Sequence, residues 1–251
     1  MAKDPWQDHQ YFEENKLAAH ASFFPYSSIK FAMEDEHRSS SNFYDLNGIW
    51  QFHFAKNPTK APDDISETDF DAQGWSHIQV PGNWESQGFG HAIYLDERYP
   101  FDTTWPDAPE EYNPTGSYRR EFVLPDNWQD KQIFFHLGAA RSSVTLYVNG
   151  QKIGYSQGAK TAAEFDITSA LKAGTNVIGM KIIRWSDASY LESQDMLRLS
   201  GIERDVYLYA TETQRIADIE FTSQLSKRLD QADVHVQVLL NNHSQPETVQ
   251  V

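Results

Sequence analysis

The chain has 251 residues, no cysteine and a formal charge of -15, from 21 Lys+Arg against 36 Asp+Glu. That charge repels a phosphate backbone and an anionic lipid surface, so neither nucleic acid nor a membrane is expected as a partner. The missing cysteines exclude disulfides, thiolate-bound zinc and thiol nucleophiles, and they fit folding in a reducing compartment. The N-terminal residues are polar and acidic without an apolar core, and no later stretch nears the roughly 18 apolar residues of a membrane span, so the expected location is the cytoplasm.

In chain order, residues 1–42 scatter aromatics (Trp6, Tyr11, Phe12, Phe23, Phe24, Tyr26) without a helical or strand period, which predicts an extended arm on the surface of the fold. From Leu46, Trp50, Phe52 and Phe54 alternate on one face of a half-buried strand. The stretch from Asn57 to Gln73 reads as loop. Ser76 to Val80 reads as a strand running into Pro81-Gly82-Asn83-Trp84, where proline ends the ladder and glycine permits a turn. Residues 84–116 are rich in turn formers, and so long an irregular stretch is more often functional than idle.

Beyond Gly116, strands are expected near 117–124, 132–138, 143–149, 151–156, 163–167, 176–184 and 203–210, the spacing of a sandwich or jelly roll. Asn149-Gly150 predicts a type I′ hairpin, and only Ile167 to Ala173 reads as helical, short enough to be a single turn. Three further strand patterns follow, Arg215 to Thr222, Ala232 to Leu240 and Glu247 to Val251. These roughly 37 residues fall short of the roughly 100 a sandwich needs, so the chain is expected to be a fragment of a longer protein. The expected organisation is an arm over 1–42, a jelly-roll domain over 43–214 and the opening of an immunoglobulin-like sandwich over 215–251, an all-β fold.

Two places could carry chemistry. The apolar strand Val177 to Ile183 ends in Arg184-Trp185-Ser186-Asp187-Ala188-Ser189-Tyr190-Leu191-Glu192, followed by Gln194-Asp195-Met196, as a strand does when it opens into a polar cleft. A carboxylate there accepts hydrogen bonds from sugar hydroxyls or ligates a hard cation. Residue type alone favours a solvated loop. Asn83 and Trp84 also follow a strand end, and Asn offers a donor and an acceptor to a vicinal diol; residue type alone favours an Asx-turn with Trp84 in the core. Glycoside hydrolysis needs two carboxyl groups about 5 Å apart for retention or about 6.5–9.5 Å for inversion. Glu85, Asp96, Glu97, Asp187, Glu192 and Asp195 are available, yet nothing in their spacing forces two together. The nine histidines form no His-x-x-x-His pair, and the glycine-rich and serine-elbow motifs of dinucleotide enzymes and serine hydrolases are absent.

The strings Val80-Pro81-Gly82-Asn83-Trp84, Asn113-Pro114-Thr115-Gly116, Val148-Asn149-Gly150, Arg184-Trp185-Ser186-Asp187 and Ser200-Gly201-Ile202-Glu203-Arg204-Asp205-Val206, in this order from about Leu46 onward, make the chain resemble the large β-galactosidases of glycoside hydrolase family 2. The resemblance implies a sugar-binding jelly roll followed by the start of an immunoglobulin-like domain, within an enzyme that removes terminal β-galactose with retention. It implies that Asn83 contacts galactose and that Asp187 contacts the sugar and ligates sodium. It also implies that both catalytic glutamates and the magnesium ligands lie in a TIM barrel outside this chain. Expected partners are a galactoside substrate, the remaining domains of the same enzyme and further copies in a homo-oligomer. Gly201 and Ile202 are read as structural and Arg204 as a bridge between domains. A stand-alone carbohydrate-binding module, or the same segment of a β-glucuronidase or β-mannosidase, is the alternative.

Overall fold

The structure, a computed structural model, describes residues 3–96 and 98–242. Glu97 and the strand expected at Glu247 to Val251 lie outside the described residues. In chain order the strands are β1 (Glu13–Glu14), β2 (Phe43–Asp45), β3 (Gly48–Ala55), β4 (Ser76–Val80), β5 (Gly82–Asn83), β6 (Ile93–Leu95), β7 (Thr115–Val123), β8 (Gln132–Leu137) and β9 (Ala140–Arg141). They continue as β10 (Ser143–Val148), β11 (Gln151–Gln157), β12 (Ala163–Asp166), β13 (Thr175–Ile183), β14 (Met196–Arg198), β15 (Gly201–Ile202), β16 (Val206–Thr211), β17 (Gln214–Leu225) and β18 (Ala232–Asn242). One antiparallel sheet runs β1-β11-β10-β13-β7-β3-β4 and faces a second of order β12-β8-β16-β2, with small sheets β5-β15-β9 and β6-β14 at one end. This is the all-β jelly-roll sandwich that the strand spacing predicts.

The inward residues alternate along each strand as a pleated, half-buried sheet demands. Val144, Leu146 and Val148 of β10 and Trp50 and Phe52 of β3 are buried, and they meet Phe135, Phe165 and Leu208 of the facing sheet in one core. Each such side chain contributes about 1.5–3 kcal/mol on burial. At the centre, β13 is buried on both faces, because the loop after β3 folds back over it and seats Ile65 and Ser66, both 1% exposed. A Cβ on Gly179 would come within 2.8 Å of Ile65 Cγ1, so the strand interior carries glycine where the loop presses in. Asn149 and Gly150 both take positive φ, +49° and +83°, as the expected type I′ turn requires. The helix expected at Ile167 to Ala173 is a single 3₁₀ turn, Thr168–Ala170.

Residues 3–42 depart from a simple extended arm. A six-residue helix, α1 (Ile29–Glu34), stands there, started by the Ser28 hydroxyl accepting from Phe31 N–H. No apolar period announced it because none of its side chains is buried. Upstream, Trp6 and Gln7 are buried, Gln7 exchanges two hydrogen bonds with the backbone of Ala108 (2.9 and 2.6 Å), and β1 adds an edge strand beside β11.

The arm is also held by an ion cluster. His20 Nε2 lies 2.9 Å and Tyr209 Oη 2.7 Å from one Glu164 oxygen, and His136 Nδ1 lies 2.6 Å from the other. His20 Nδ1 sits 2.8 Å from the Ala21 carbonyl, so both of its nitrogens face oxygens and both must donate, which makes the ring a cation when Glu164 is ionised. Burial opposes charge on both partners. The hydrogen bonds from His136, His20 and Tyr209 outweigh it, lowering the Glu164 carboxyl to about 2 and raising His20 above its ordinary 6.5. For Glu164 the folded value lies below the ordinary 4.5, so its contribution is complete above about pH 4.5 and is lost as pH falls toward 2. His20 has the opposite sign: its contribution holds below about pH 6.5 and fades as pH rises through its raised value. In urea titrations from neutral pH down to about pH 2, the stability difference between wild type and Glu164→Gln is expected to shrink by about 3 kcal/mol. A constant difference would show that Glu164 titrates normally.

Past β16, β17 and β18 form a hairpin paired from Gln214↔Asn242 to Leu225↔Ala232, longer than the expected strands. Its Phe221, Val236 and Leu239 are exposed. Among the described residues, the Arg204 guanidinium donates to the Lys160 carbonyl at 2.9 Å, within the sandwich. Among the described residues no helix is long and apolar enough to cross a membrane.

Candidate functional site

Asp187 stands where the central strand β13 runs out of its ladder. The chain leaves β13 through Arg184 and Trp185, whose backbones are captured by Asn113-Pro114. Arg184 N–H donates to the Pro114 carbonyl (2.9 Å), Trp185 N–H to Asn113 Oδ1 (2.9 Å), and Asn113 Nδ2 to the Trp185 carbonyl (2.8 Å). Asn113 is wholly buried, which explains why an amide able both to donate and to accept occupies the start of the Asn-Pro-Thr-Gly string. Ser186 then caps a 3₁₀ turn, Asp187–Tyr190, its N–H donating to Ser189 Oγ at 3.0 Å. Asp187 is therefore presented by a turn fixed on both sides.

One Asp187 carboxylate oxygen accepts from Gln157 Nε2 at 2.8 Å. Gln157 ends β11, two strands away from β13 by way of β10, through the pairs Gln157↔Ser143 and Ser143↔Ile183. Burial pushes the Asp187 carboxyl above its ordinary value, and the Gln157 hydrogen bond offsets part of that. The residue lines a cleft of about 570 Å³ together with Phe12, Trp105, Gln157, Tyr190 and Glu192. Burial raises the Glu192 carboxyl too, against the opposing hydrogen bond from Ala159 N–H at 2.8 Å.

Asn83 does not line this cleft. It lies on β5, opposite Gly201 of β15, which in turn lies opposite Arg141 of β9. Its Nδ2 donates to the Ser200 carbonyl at 3.3 Å. The residue after β9, Ser142, has its hydroxyl 3.0 Å from the Ile183 carbonyl and 3.1 Å from Ser186 Oγ. A three-strand ribbon thus joins the two predicted residues at one end of the sandwich, with no hydrogen bond between their side chains among the described residues. Trp84 is core, 0% exposed, and Gly201 and Ile202 are buried strand residues, as their structural reading has it.

The remaining candidate carboxylates divide by environment. The side chain of Glu85 is buried and structural, accepting from Ser200 N–H at 2.9 Å and lying 3.4 Å from the Arg184 guanidinium. Asp195 accepts from Tyr94 Oη at 2.7 Å, and Asp96 is exposed. Among the described candidates, only Asp187 and Glu192 share the cleft. The residue type of Asp187 suits one oxygen ligand to a cation, but no group of three or more His, Asp or Glu among the described residues could hold a metal ion, so any further ligands would be groups other than such a cluster. Three features of the site gave no signal in the sequence. Gln157 falls just past the strand expected at 151–156, the arm reads as peripheral, and nothing in the sequence marks Arg184 and Arg198 as buried groups that fasten the loops. Arg184 donates to the His91 and Arg198 carbonyls (3.0 and 2.9 Å), and Arg198 donates to the Glu192 carbonyl (3.3 Å).

A jelly-roll sandwich that opens a cleft of carboxylates and rings at one strand end has the form of a carbohydrate-binding domain. Residues 43–212 match the sugar binding domain of glycosyl hydrolases family 2, and the chain belongs to that family. It is 36% identical over 241 residues to a β-galactosidase of Priestia megaterium, covering 94% of this chain and 23% of that one. It is 38% identical over 242 residues to a β-galactosidase of Enterobacter cloacae, covering 96% and 23% respectively. The chain thus spans about a quarter of the length of these curated relatives. Among solved structures, it superposes on Bacteroides uniformis β-glucuronidase 2 covalently bound to cyclophellitol-6-carboxylate aziridine with a TM-score of 0.63 at 27% identity, covering 80% of this chain and 22% of that one.

Proposed function

We propose that the chain is the front segment of a β-galactosidase that hydrolyses terminal β-D-galactose with retention, and that its part is to position the sugar rather than to break the bond. The observation that carries this reading is Asp187, held on a clamped turn at the mouth of a carbohydrate-sized cleft, in a chain whose curated relatives are β-galactosidases over nearly its whole length. Retention requires two carboxyl groups about 5 Å apart, one attacking the anomeric carbon and one protonating the leaving oxygen. In the proposed enzyme both are glutamates of a barrel outside this chain. Asp187 holds a galactose hydroxyl and supplies an oxygen to sodium, whose charge would stabilise the ionised carboxylate; Asn83 supplies a second sugar contact. Magnesium and the homo-oligomeric assembly belong to other parts of the enzyme. The exposed apolar side of the β17–β18 hairpin fits the opening of a further, immunoglobulin-like sandwich, since a lone hairpin is marginal in water.

The β-glucuronidase structures keep one second reading open, because the fold is shared between the two activities. Assay of the complete enzyme on p-nitrophenyl β-galactoside and β-glucuronide separates them. Turnover of the galactoside is the expected result; turnover of the glucuronide alone overturns the assignment, and turnover of neither leaves a β-mannosidase or the stand-alone binding module.

A further inference from the structure

We propose that Gln157 is a positioning residue: its side-chain amide sets the direction of the Asp187 carboxylate without cancelling its charge, and so decides how well that carboxylate meets the sugar. This rests on the reading that Asp187 contacts the terminal sugar.

Gln157 is 7% exposed and ends β11, where its backbone is fixed from two sides. Its Cα lies opposite Ser143 of β10, and its N–H donates to the Phe12 carbonyl of the arm at 2.9 Å. The side chain is fixed as well. Nε2 donates to Tyr155 Oη at 2.7 Å and to Asp187 Oδ1 at 2.8 Å, while the Pro5 carbonyl stands further off at 3.4 Å. The two short bonds take both amide hydrogens. Tyr155 is a firm anchor, 1% exposed and stacked on Tyr11 with ring centroids 5.9 Å apart. An ionised carboxylate only accepts, so the amide must turn its nitrogen, not its oxygen, toward Asp187.

The turn around Asp187 fixes its backbone through Ser186, Ser189 and Asn113, which leaves the rotation of the carboxylate to be settled by other groups. The hydrogen bonds that offset the burial of that carboxyl come from Gln157 and from the residue's own N–H, and Gln157 makes the larger contribution. The residue type at 157 then has a chemical reason. A lysine or arginine would hold the carboxylate as firmly but pair with its charge, and an aliphatic side chain would let it turn. A neutral amide holds the oxygen and leaves the charge in place. With both of its hydrogens committed, Gln157 has no donor left for a ligand, so its effect on the sugar passes through Asp187. A contact group needs to be held within about 0.5 Å of its working place, and this bond supplies that support.

The test is a double-mutant cycle in the complete enzyme, with kcat/KM for p-nitrophenyl β-galactoside measured in wild type, Gln157→Met, Asp187→Ala and the double variant. Methionine keeps the length of the side chain and removes the donor. Gln157→Met is expected to lower kcat/KM about tenfold in the wild-type background and less than about twofold beside Asp187→Ala, because there is then no carboxylate to direct. A residue that serves only packing, or that touches the sugar itself, would cost the same factor in both backgrounds; that result overturns the proposal, as does no loss in the single variant. Where Gln157→Met fails to fold, Tyr155→Phe takes its place in the cycle, since it keeps the ring and frees the amide to turn away. Its expected loss of about threefold should likewise vanish beside Asp187→Ala, and a loss that persists there, or none at all, overturns the proposal. If Asp187→Ala keeps the wild-type kcat/KM, the reading of Asp187 as a sugar contact fails and the proposal with it. If wild type cleaves a different β-glycoside, the β-galactosidase reading alone fails, and the same cycle on that glycoside decides the role of Gln157.

Discussion

Replacing Asp187 by alanine in the complete enzyme is expected to lower β-galactoside turnover by about two orders of magnitude or more, because a misplaced substrate alone costs about that much. The turn that carries Asp187 is built by Ser186, Ser189 and the Asn113 clamp, none of which uses the Asp187 carboxylate, so the variant should fold and keep its thermal midpoint. On the proposed role it loses an acceptor lining the cleft and a charge that would hold a cation. Asp187→Asn divides the two: the amide keeps the size and one acceptor but removes the charge, and so should abolish the response to sodium while retaining part of the activity. Steady-state kinetics with and without sodium provide the measurement. Turnover near that of wild type in Asp187→Ala would remove the residue from the mechanism.

Replacing Trp84 by alanine is expected to cost about 3–5 kcal/mol, read as a lower urea midpoint at unchanged slope. Trp84 is 0% exposed, its ring lies 5.9 Å from Phe52 and 5.7 Å from Phe54, and its indole N–H donates to the buried Tyr118 hydroxyl. The space it fills is walled by backbone. A Cβ on Gly116 would stand 2.5 Å from the indole and one on Gly201 2.9 Å, and Gly201 has φ +108°. Neighbours on these ladders have little freedom to collapse into the cavity, and Tyr118 would lose its hydrogen-bond partner in the same step. The damage should extend to the site, because Gly201 lies between Asn83 and the Arg141-Ser142 step that reaches Ser186. A loss below about 1 kcal/mol would show that the loops close over the gap.

The sandwich itself was written locally. Period-2 alternation in β3 and β10, the Asn149-Gly150 turn and the glycine and proline breaks placed most long strands within a residue or two, since each signal depends only on neighbours along the chain. The shortest strands left no trace. β5, β6, β9, β14 and β15 have two or three residues each, too few for any period, and they exist because partners distant in sequence complete their hydrogen bonds. α1 was invisible for a related reason: a helix that buries nothing has no amphipathic stripe to read.

For the site, the sequence by itself determined that a polar, carboxylate-bearing segment follows the most apolar strand, and its ordered strings were specific enough to point to Asp187 and Asn83. Only the tertiary structure decided what surrounds them. Strand order, not spacing, brings Gln157 to Asp187, because β11 and β13 flank β10. Burial, not residue type, makes the Glu85 carboxylate, Arg184 and Arg198 the ties that fix the loops. The arm became a wall of the cleft because Trp6 and Gln7 found buried partners near Ala108, about a hundred residues further along, a contact that no local pattern encodes.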